Sequence, residues 1–191
     1  MGHSQEDKAA SHERIVTIAA ARFREAGTDS PAIGDLMRAA ELTHGGFYRH
    51  FGSRDELVDE AVELALRTGA GRMADAAEKG AAAGDGLGAL IDGYLSAGHR
   101  DEPASSCAVA TLSADVARGS DRARAAYTNQ VRGYLDMIEA SITEPDPVRR
   151  RRRALQTLSA LVGAVLMARA VDSAVLSDEL LTEVAEALRE G

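Results

Sequence analysis

Apolar residues recur along the chain with the three- and four-residue spacing of helices that bury one face. Ile15, Ile18 and Phe23 follow this spacing, and Gly27 stands where such a helix would end. No segment alternates apolar and polar residues with the β-branched and aromatic enrichment that is typical of strands. The pattern therefore predicts an all-α protein of about nine helices, with the first over residues 11–26.

The first third of the chain divides into short helices. The cap signals predict helices over residues 31–40 and 43–50, and then a long fourth helix. A serine before a proline suits a helix start, and a capping box satisfies two backbone N–H groups at once. The signals are Ser30 followed by Pro31, then Thr43, then the capping box of Ser53 and Glu56.

The rest of the chain begins with a linker predicted over residues 80–86, which holds three glycines. Apolar stripes then predict three more helices, one of them over residues 105–118. Asp146 before Pro147 predicts the start of a long helix that ends near residue 171. Ser177 predicts the start of the last helix, because acidic residues follow it in the first turn.

Composition excludes several classes of protein. The 191 residues contain one cysteine and carry a net charge of −8. A single cysteine forms no intrachain disulfide, and no Cys/His cluster has zinc-ligand spacing. The longest apolar run is too short to span a bilayer and the N-terminus is polar. We therefore expect a cytoplasmic protein without a membrane segment, a metal or a cofactor.

The acidic balance argues against nucleic-acid binding, but residues 38–54 carry three arginines against Glu41 alone. The third predicted helix lies in this stretch and contains Gly45 and Gly46, which destabilise a helix by about 2 kcal/mol relative to two alanines. Phe47 and Phe51, four residues apart, would anchor its buried side. Two interpretations stay open, a helix that approaches DNA closely and a tight packing corner. The remaining side chains all donate hydrogen bonds: Thr43, His44, Tyr48, Arg49 and His50.

Residues 14–23, residues 33–40 and the stretch Leu42-Thr-His-Gly-Gly-Phe-Tyr-Arg-His-Phe-Gly-Ser-Arg-Asp-Glu-Leu57 together resemble the N-terminal domain of the TetR family of bacterial repressors. The resemblance covers about residues 11–60. It implies a helix-turn-helix DNA-binding domain over residues 1–56, and a helical ligand-binding and dimerisation domain over residues 57–191. It also implies that Thr43, Tyr48, His50 and Arg54 contact phosphates and that His44, Gly45, Gly46 and Arg49 face the groove.

Three positions depart from the pattern of that family. Met37 replaces a small alanine, Pro31 replaces a phosphate-contacting threonine, and Glu41 replaces the glycine of the turn. Glu41 is therefore expected to adopt left-handed backbone geometry, at a cost of roughly 1 kcal/mol.

The resemblance implies a ligand cavity in the second domain, although each of its candidate residues could equally be core or surface. Cys107 and His99 could pair as nucleophile and base, but no third group orients them, so we expect no enzyme. Pockets between helices use aromatic, polarizable and polar-tipped side chains. The candidates are Met73, Tyr94, His99, Cys107, Tyr127, Tyr134 and Met137.

The last two helices carry apolar stripes that predict a four-helix dimer interface, as in the family, although packing within one chain would use the same stripes. The five arginines from Arg149 to Arg153 would mark either a polyanion site or a solvated helix start. The predicted interface residues are Leu155, Leu158, Val162, Gly163, Val165, Leu180 and Val184.

These observations predict a ligand-responsive transcriptional regulator, most simply a repressor. It would bind a palindromic operator in double-stranded DNA as a homodimer and leave it when a small-molecule effector binds. The alternative is a helical small-molecule sensor or carrier that does not bind DNA.

Overall fold

The computed structural model describes residues 3–82 and 84–190, and these form helices without a strand. The all-α prediction is confirmed, with ten α-helices and two short 3₁₀ helices in the described part instead of about nine helices. The α-helices are α1 (His3–Ala26), α2 (Ile33–Ala39), α3 (Arg54–Ala82), α4 (Gly86–Tyr94), α5 (Ala97–Asp101), α6 (Ala108–Thr111), α7 (Ser113–Arg118), α8 (Asp121–Ala140), α9 (Pro147–Ala170) and α10 (Ala174–Glu190); the 3₁₀ helices are His44–Arg49 and Pro103–Ser105.

Three described residues, Gly27, Glu41 and Gly84, have left-handed backbone geometry. Gly27 ends α1 with a φ of +77°, and its amide donates to the Phe23 carbonyl. Glu41 ends the turn after α2 with a φ of 59°. The prediction for Glu41 is confirmed. The chain therefore accepts backbone strain at this acidic residue between α2 and the 3₁₀ helix.

The predicted start of α2 is wrong. The helix begins at Ile33, after Ala32, rather than after Ser30, and Ala32 makes no side-chain cap. The segment before α2 is bound to α7, since the amide and hydroxyl of Thr28 both donate to Asp115.

The caps of the next two helices also differ from the prediction. Thr43 makes no side-chain cap, and the helix that follows it is 3₁₀ rather than α. At the start of α3 the Ser53 hydroxyl accepts from the Glu56 amide at 3.1 Å, as a capping box requires. The Glu56 carboxylate, however, accepts from the amide of Gly52 instead of that of Ser53.

The predicted linker over residues 80–86 is largely helix, and position 83 lies outside the described residues. Helix α3 continues to Ala82, and Asp85 caps α4 through the amide of Gly88 at 2.8 Å. A Cβ on Gly80 would stand 2.3 Å from the Ala89 Cβ, so glycine lets α3 and α4 approach each other here.

The predicted helix over 105–118 is broken into three pieces. Cys107 has extended backbone (ψ 117°), and its amide donates to the Nε2 atom of His99 rather than to a helical carbonyl. A second break follows at Leu112, between α6 and α7. The helix is therefore interrupted at Cys107, and the pattern of apolar residues alone does not predict this break.

The predicted start of α9 is confirmed, and the predicted start of α10 is wrong. Asp146 caps α9 by accepting from the amides of Val148 and Arg149, as predicted. Helix α10 begins at Ala174 rather than at Ser177. The Ser177 hydroxyl is buried and donates to the Ala168 carbonyl at 2.7 Å, so this serine joins two helices instead of starting one.

One continuous apolar core joins the N-terminal helices to the rest of the chain. Helix α3 connects the two ends of this core, from buried Leu57 beside the N-terminal helices to buried Met73 beside α4. No described helix is long and apolar enough to cross a membrane.

Candidate nucleic-acid interface and internal cavity

The 3₁₀ helix His44–Arg49, here called the recognition segment, is fixed to the core from one side. Phe47 and Phe51 are 1% and 2% exposed, and their ring centroids lie 5.3 Å apart. Met37 of α2 is fully buried, and its methyl group would lie 3.6 Å from a Cβ on Gly46. The two phenylalanines anchor the segment, and Met37 fills the space that a small side chain would leave open.

The other side of the recognition segment is open to solvent. Tyr48 is 71% exposed, and its ring packs edge-on against Phe47 at 5.2 Å. His44 and Arg49 are also exposed, and no described atom lies within 4 Å of a Cβ on Gly45. Phe47 packs against one side of the tyrosine ring, and the phenol hydroxyl is left in solvent.

His50 and Arg54 stand at the edge of this face and are partly committed to the protein. The Arg54 Nη2 atom donates to the Thr28 carbonyl, and its side chain is 33% exposed. His50 lies 6.2 Å from the ring of His12, and its buried Nδ1 atom has no partner among the described residues. Burial, with smaller effects from His12, Lys8 and Arg49, lowers the pKa of His50. His50 is therefore predominantly neutral at pH 7.

An internal cavity of about 220 Å³ lies between α3, α4, α5, α8 and the start of α6. Five of the seven predicted ligand-binding residues line it: Met73, Tyr94, His99, Cys107 and Tyr134. The other two do not. The Tyr127 hydroxyl donates to the Val109 carbonyl at 2.9 Å, and Met137 packs against the apolar core.

The polar side chains that line the cavity are two phenols, a thiol, an imidazole, the hydroxyls of Ser96 and Ser106 and the exposed carboxylate of Glu102. The Cys107 thiol donates to the Tyr134 hydroxyl at 3.5 Å. The Tyr94 hydroxyl is buried and makes no hydrogen bond of good geometry among the described residues. Burial raises the pKa of Tyr94 and of Tyr134 well above the ordinary value, so both phenols stay protonated.

His99 is locked as a neutral ring. Its Nδ1 atom lies 2.6 Å from the Tyr94 carbonyl, and its Nε2 atom accepts the Cys107 amide at 3.0 Å. The proton therefore sits on Nδ1, which donates to the carbonyl. Because both nitrogens are engaged, His99 cannot take the proton of the Cys107 thiol. This geometry agrees with the expectation that the pair is not catalytic.

Sequence reasoning missed several residues around the cavity. Gly69 of α3 lies beside the Tyr134 hydroxyl and the Cys107 backbone, and a glycine within a long helix is the signal that could have found it. Arg169 of α9 donates to the carbonyls of Arg100 and His99 and to Ser106. The sequence does not predict this role for Arg169, because an arginine near the end of a helix is usually solvated.

Comparison with known proteins agrees with this geometry. Residues 15–61 match the model for "Bacterial regulatory proteins, tetR family". The uncharacterized HTH-type transcriptional regulator Rv0196 of Mycobacterium tuberculosis is 32% identical over 165 residues, which cover 82% of this chain and 83% of the relative. The chain belongs to the tetR family.

The fold of this TetR-family chain also matches solved structures over nearly its whole length. A TetR transcriptional regulator from Chloroflexus aurantiacus is 22% identical, with a TM-score of 0.77 over 97% of this chain and 98% of that one. Reduced NemR of Escherichia coli is 18% identical, with a TM-score of 0.75 over 95% of this chain and 97% of that one. These likenesses show that both parts of the chain have the fold of the family.

In this TetR-family chain, part of the apolar stripe predicted to form the dimer interface is buried inside the protomer. Leu158 is 6% exposed and Val165 is fully buried, so packing within the protomer already covers both side chains. Val162, Leu180 and Val184 are half-buried against the core. On the outward side of α9, Leu155, Ser159, Leu166 and Met167 are exposed, and Gly163 lies half-buried among them.

The arginine run of this TetR-family chain is a solvated helix start. Arg151 pairs with Glu139 at 2.5 Å, Arg150 donates to the Glu144 carbonyl, and Arg149 lies 3.6 Å from Asp146. The arginines point to different sides of the helix and do not form one cationic face.

Proposed function

We propose that the protein is a ligand-responsive transcriptional repressor of the bacterial cytoplasm. A homodimer binds a palindromic operator in double-stranded DNA through its recognition segments, and a small molecule in the internal cavity releases it. The observation that carries this proposal is the recognition segment itself. Two buried phenylalanines hold it in place, while its exposed side presents Tyr48, His44 and Arg49 to solvent.

The shape of the recognition segment suits close approach to DNA. Gly45 and Gly46 add no side chain to its face, so the backbone can come near a phosphate or a groove floor. Tyr48, Thr43 and His50 can donate to phosphate oxygens, and Arg49 can reach base edges in the major groove. Arg54 already donates to the Thr28 carbonyl, so its proposed phosphate contact uses its remaining N–H groups.

Dimerisation through α9 and α10 would place two recognition segments on one DNA duplex. The exposed stripe of α9 includes Leu155 and Met167, which are 47% and 51% exposed. No described atom lies within 4 Å of a Cβ on Gly163 in the middle of this stripe, so a partner helix can approach closely there. A twofold axis through this stripe makes a self-complementary interface and requires two operator half-sites.

The proposed switch acts through α3, which carries Arg54 at the DNA end and Gly69 and Met73 at the cavity. A ligand lowers DNA affinity only if it binds better to a conformation whose recognition segments are wrongly spaced. A coupling of about 1–3 kcal/mol would reduce operator affinity about 5- to 150-fold.

A gel shift on DNA from upstream of the protein's own gene tests the proposal. We expect a salt-dependent shift by wild-type protein, and a weaker shift by the Tyr48→Ala variant with its fold intact. Equal shifts by both proteins would overturn the assignment of the recognition segment.

A small-molecule sensor that does not bind DNA is the second candidate. Glu41 favours it, because this exposed acid lies in the turn directly before the recognition segment and the chain carries a net charge of −8. Such a protein would show no salt-dependent affinity for any DNA, whereas its cavity would still bind ligand.

A further inference from the structure

The internal cavity holds an unpaired donor. The Tyr94 hydroxyl is buried with no hydrogen bond of good geometry among the described residues, although the Cys107 thiol lies near it, and the tyrosine is 6% exposed. A buried hydroxyl without a partner is unfavourable, and a native structure needs a reason to keep one. Tyr94 lines the cavity, so an acceptor atom of a bound molecule would satisfy it.

A second phenol lies close to the same space. The Tyr134 hydroxyl accepts the Cys107 thiol at 3.5 Å, and none of the hydrogen bonds found among the described residues uses its own proton. Both phenols are protonated at neutral pH, because burial raises the pKa of each. The cavity therefore offers two O–H donors and calls for an acceptor oxygen.

The charges around the cavity favour an uncharged molecule. His99 is neutral, since its Nε2 atom accepts an amide proton. Glu102 lines the cavity but is exposed to solvent. Arg169 is not part of the lining: its Nε and Nη2 atoms donate to the Arg100 and His99 carbonyls and to Ser106, and its buried Nη1 atom has no partner among the described residues. A carboxylate buried here would lack a cationic partner in the lining, and an ammonium group would find its only anionic partner in the lining, Glu102, exposed to solvent.

The volume of the cavity and the residues that line it narrow the class of ligand further. About 220 Å³ is below the range of about 300–1,000 Å³ that drug-sized ligands occupy. Leu90 and the Met73 thioether supply apolar surface, and the Tyr94 and His99 rings meet edge-on with centroids 4.5 Å apart. Thioethers and ring edges pack well against an aromatic ring.

We propose that this cavity binds a small, uncharged, single-ring aromatic molecule whose carbonyl oxygen accepts hydrogen bonds from Tyr94 and Tyr134. This inference deepens the proposed function, because it names the class of molecule that the switch senses. Cys107 contributes its thiol to the wall, and Gly69 lines the cavity where the Tyr134 hydroxyl and the Cys107 backbone come close to α3.

Calorimetric titration of the full-length protein without DNA tests the inference. The probes are acetophenone, ethylbenzene, which has a similar shape but no acceptor, and benzoate, which is an anion. We expect acetophenone to bind most tightly and benzoate not to bind. Tyr94→Phe should weaken acetophenone binding about 2- to 10-fold, the effect of one hydrogen bond, and leave ethylbenzene unchanged.

Matched variants separate the cavity from the rest of the surface. Gly69→Leu should fill the space and abolish binding of both apolar probes, whereas Gly71→Leu lies on the exposed side of α3 and should bind them normally. Tyr127→Phe removes a phenol outside the cavity and should also change nothing. Thermal unfolding checks that each variant is folded.

Any of four results would overturn the inference: equal affinity for acetophenone and ethylbenzene, tighter binding of benzoate, unchanged binding by Gly69→Leu, or no acetophenone binding at millimolar concentration. None of these results bears on DNA binding, because the titration contains no DNA. Conversely, absence of an operator complex would refute the proposed function and leave this titration intact.

Discussion

The carboxylate of Asp115 fastens the N-terminal helices to the cavity side of the molecule. Its Oδ1 atom accepts the amide of Thr28 at 3.1 Å and the Thr28 hydroxyl at 3.0 Å, and its side chain is 14% exposed. Asp115 lies on α7, which follows the chain segment that begins at Cys107 in the cavity wall. We predict that Asp115→Ala loosens this connection and destabilises the protein.

The expected loss of stability follows from the two hydrogen bonds that Thr28 donates to Asp115. A hydrogen bond to a charged group contributes about 1.5–3 kcal/mol. Thr28 is half-buried, so water would partly replace the lost acceptor, and we expect the free energy of unfolding to fall by about 2–4 kcal/mol. Asp115→Asn keeps an acceptor oxygen and should cost about half as much. Arg118→Ala is the control, because it removes only an exposed 3.9 Å ion pair worth about 0–1 kcal/mol.

Urea unfolding at one fixed protein concentration measures these differences, since the stability of a dimer depends on concentration. The reasoning is refuted if Asp115→Ala and Arg118→Ala lie within about 0.5 kcal/mol of each other, the ordinary scatter of surface substitutions. Such a result would mean that the α1–α2 connection does not depend on α7.

Three further predictions concern the dimer, the DNA and pH. Gly163→Glu should convert dimers to monomers, because a buried unpaired charge costs several kcal/mol; light scattering at micromolar concentration measures this, and an unaltered dimer would exclude α9 from the interface. Tyr48→Phe should weaken binding to operator and unrelated DNA alike without changing the salt slope, whereas Arg49→Gln should relax the preference at one base pair per half-site; anisotropy titrations with permuted operators decide, and full sequence preference in Arg49→Gln would contradict the groove assignment. Burial lowers the pKa of His50 in the folded state, so the unfolded chain binds more protons near pH 6 and the free energy of unfolding falls as the pH drops through 6.5. His50→Gln should flatten that dependence in urea titrations at pH 5–8, and an identical slope in the variant would show that His50 is not its source.

The order of the N-terminal helices and several of their turns were predictable because those signals are local, although α1 begins at His3 rather than at residue 11. A glycine at Gly27, an acid in the turn at Glu41 and two aromatic residues four apart each act through their immediate neighbours. The error at Pro31 has a non-local origin. Asp115, more than eighty residues away, binds Thr28 in the segment before α2, and no property of Ser30 or Pro31 reveals this contact.

The cavity was predictable only as a set of residue types. Sequence periodicity cannot show that Cys107 leaves the helix to bond its amide to His99, because that bond depends on how α5 is placed. For the same reason the sequence predicts one role for Tyr127 and Tyr134, which lie on one helix, although only Tyr134 lines the cavity. The stripe of α9 was ambiguous because an apolar residue does not specify which neighbour covers it, and α9 packs its Leu158 side inward.

The most direct test of the account is an anisotropy titration of the protein against DNA from upstream of its own gene, repeated at several salt concentrations and with Tyr48→Ala. The account predicts saturable binding of one dimer to a twofold-symmetric site, an affinity at least about a thousandfold above that for unrelated DNA, and a log–log salt slope that shows several phosphate contacts. Equal affinity for every DNA tested, or no loss of affinity in the folded Tyr48→Ala variant, would contradict it.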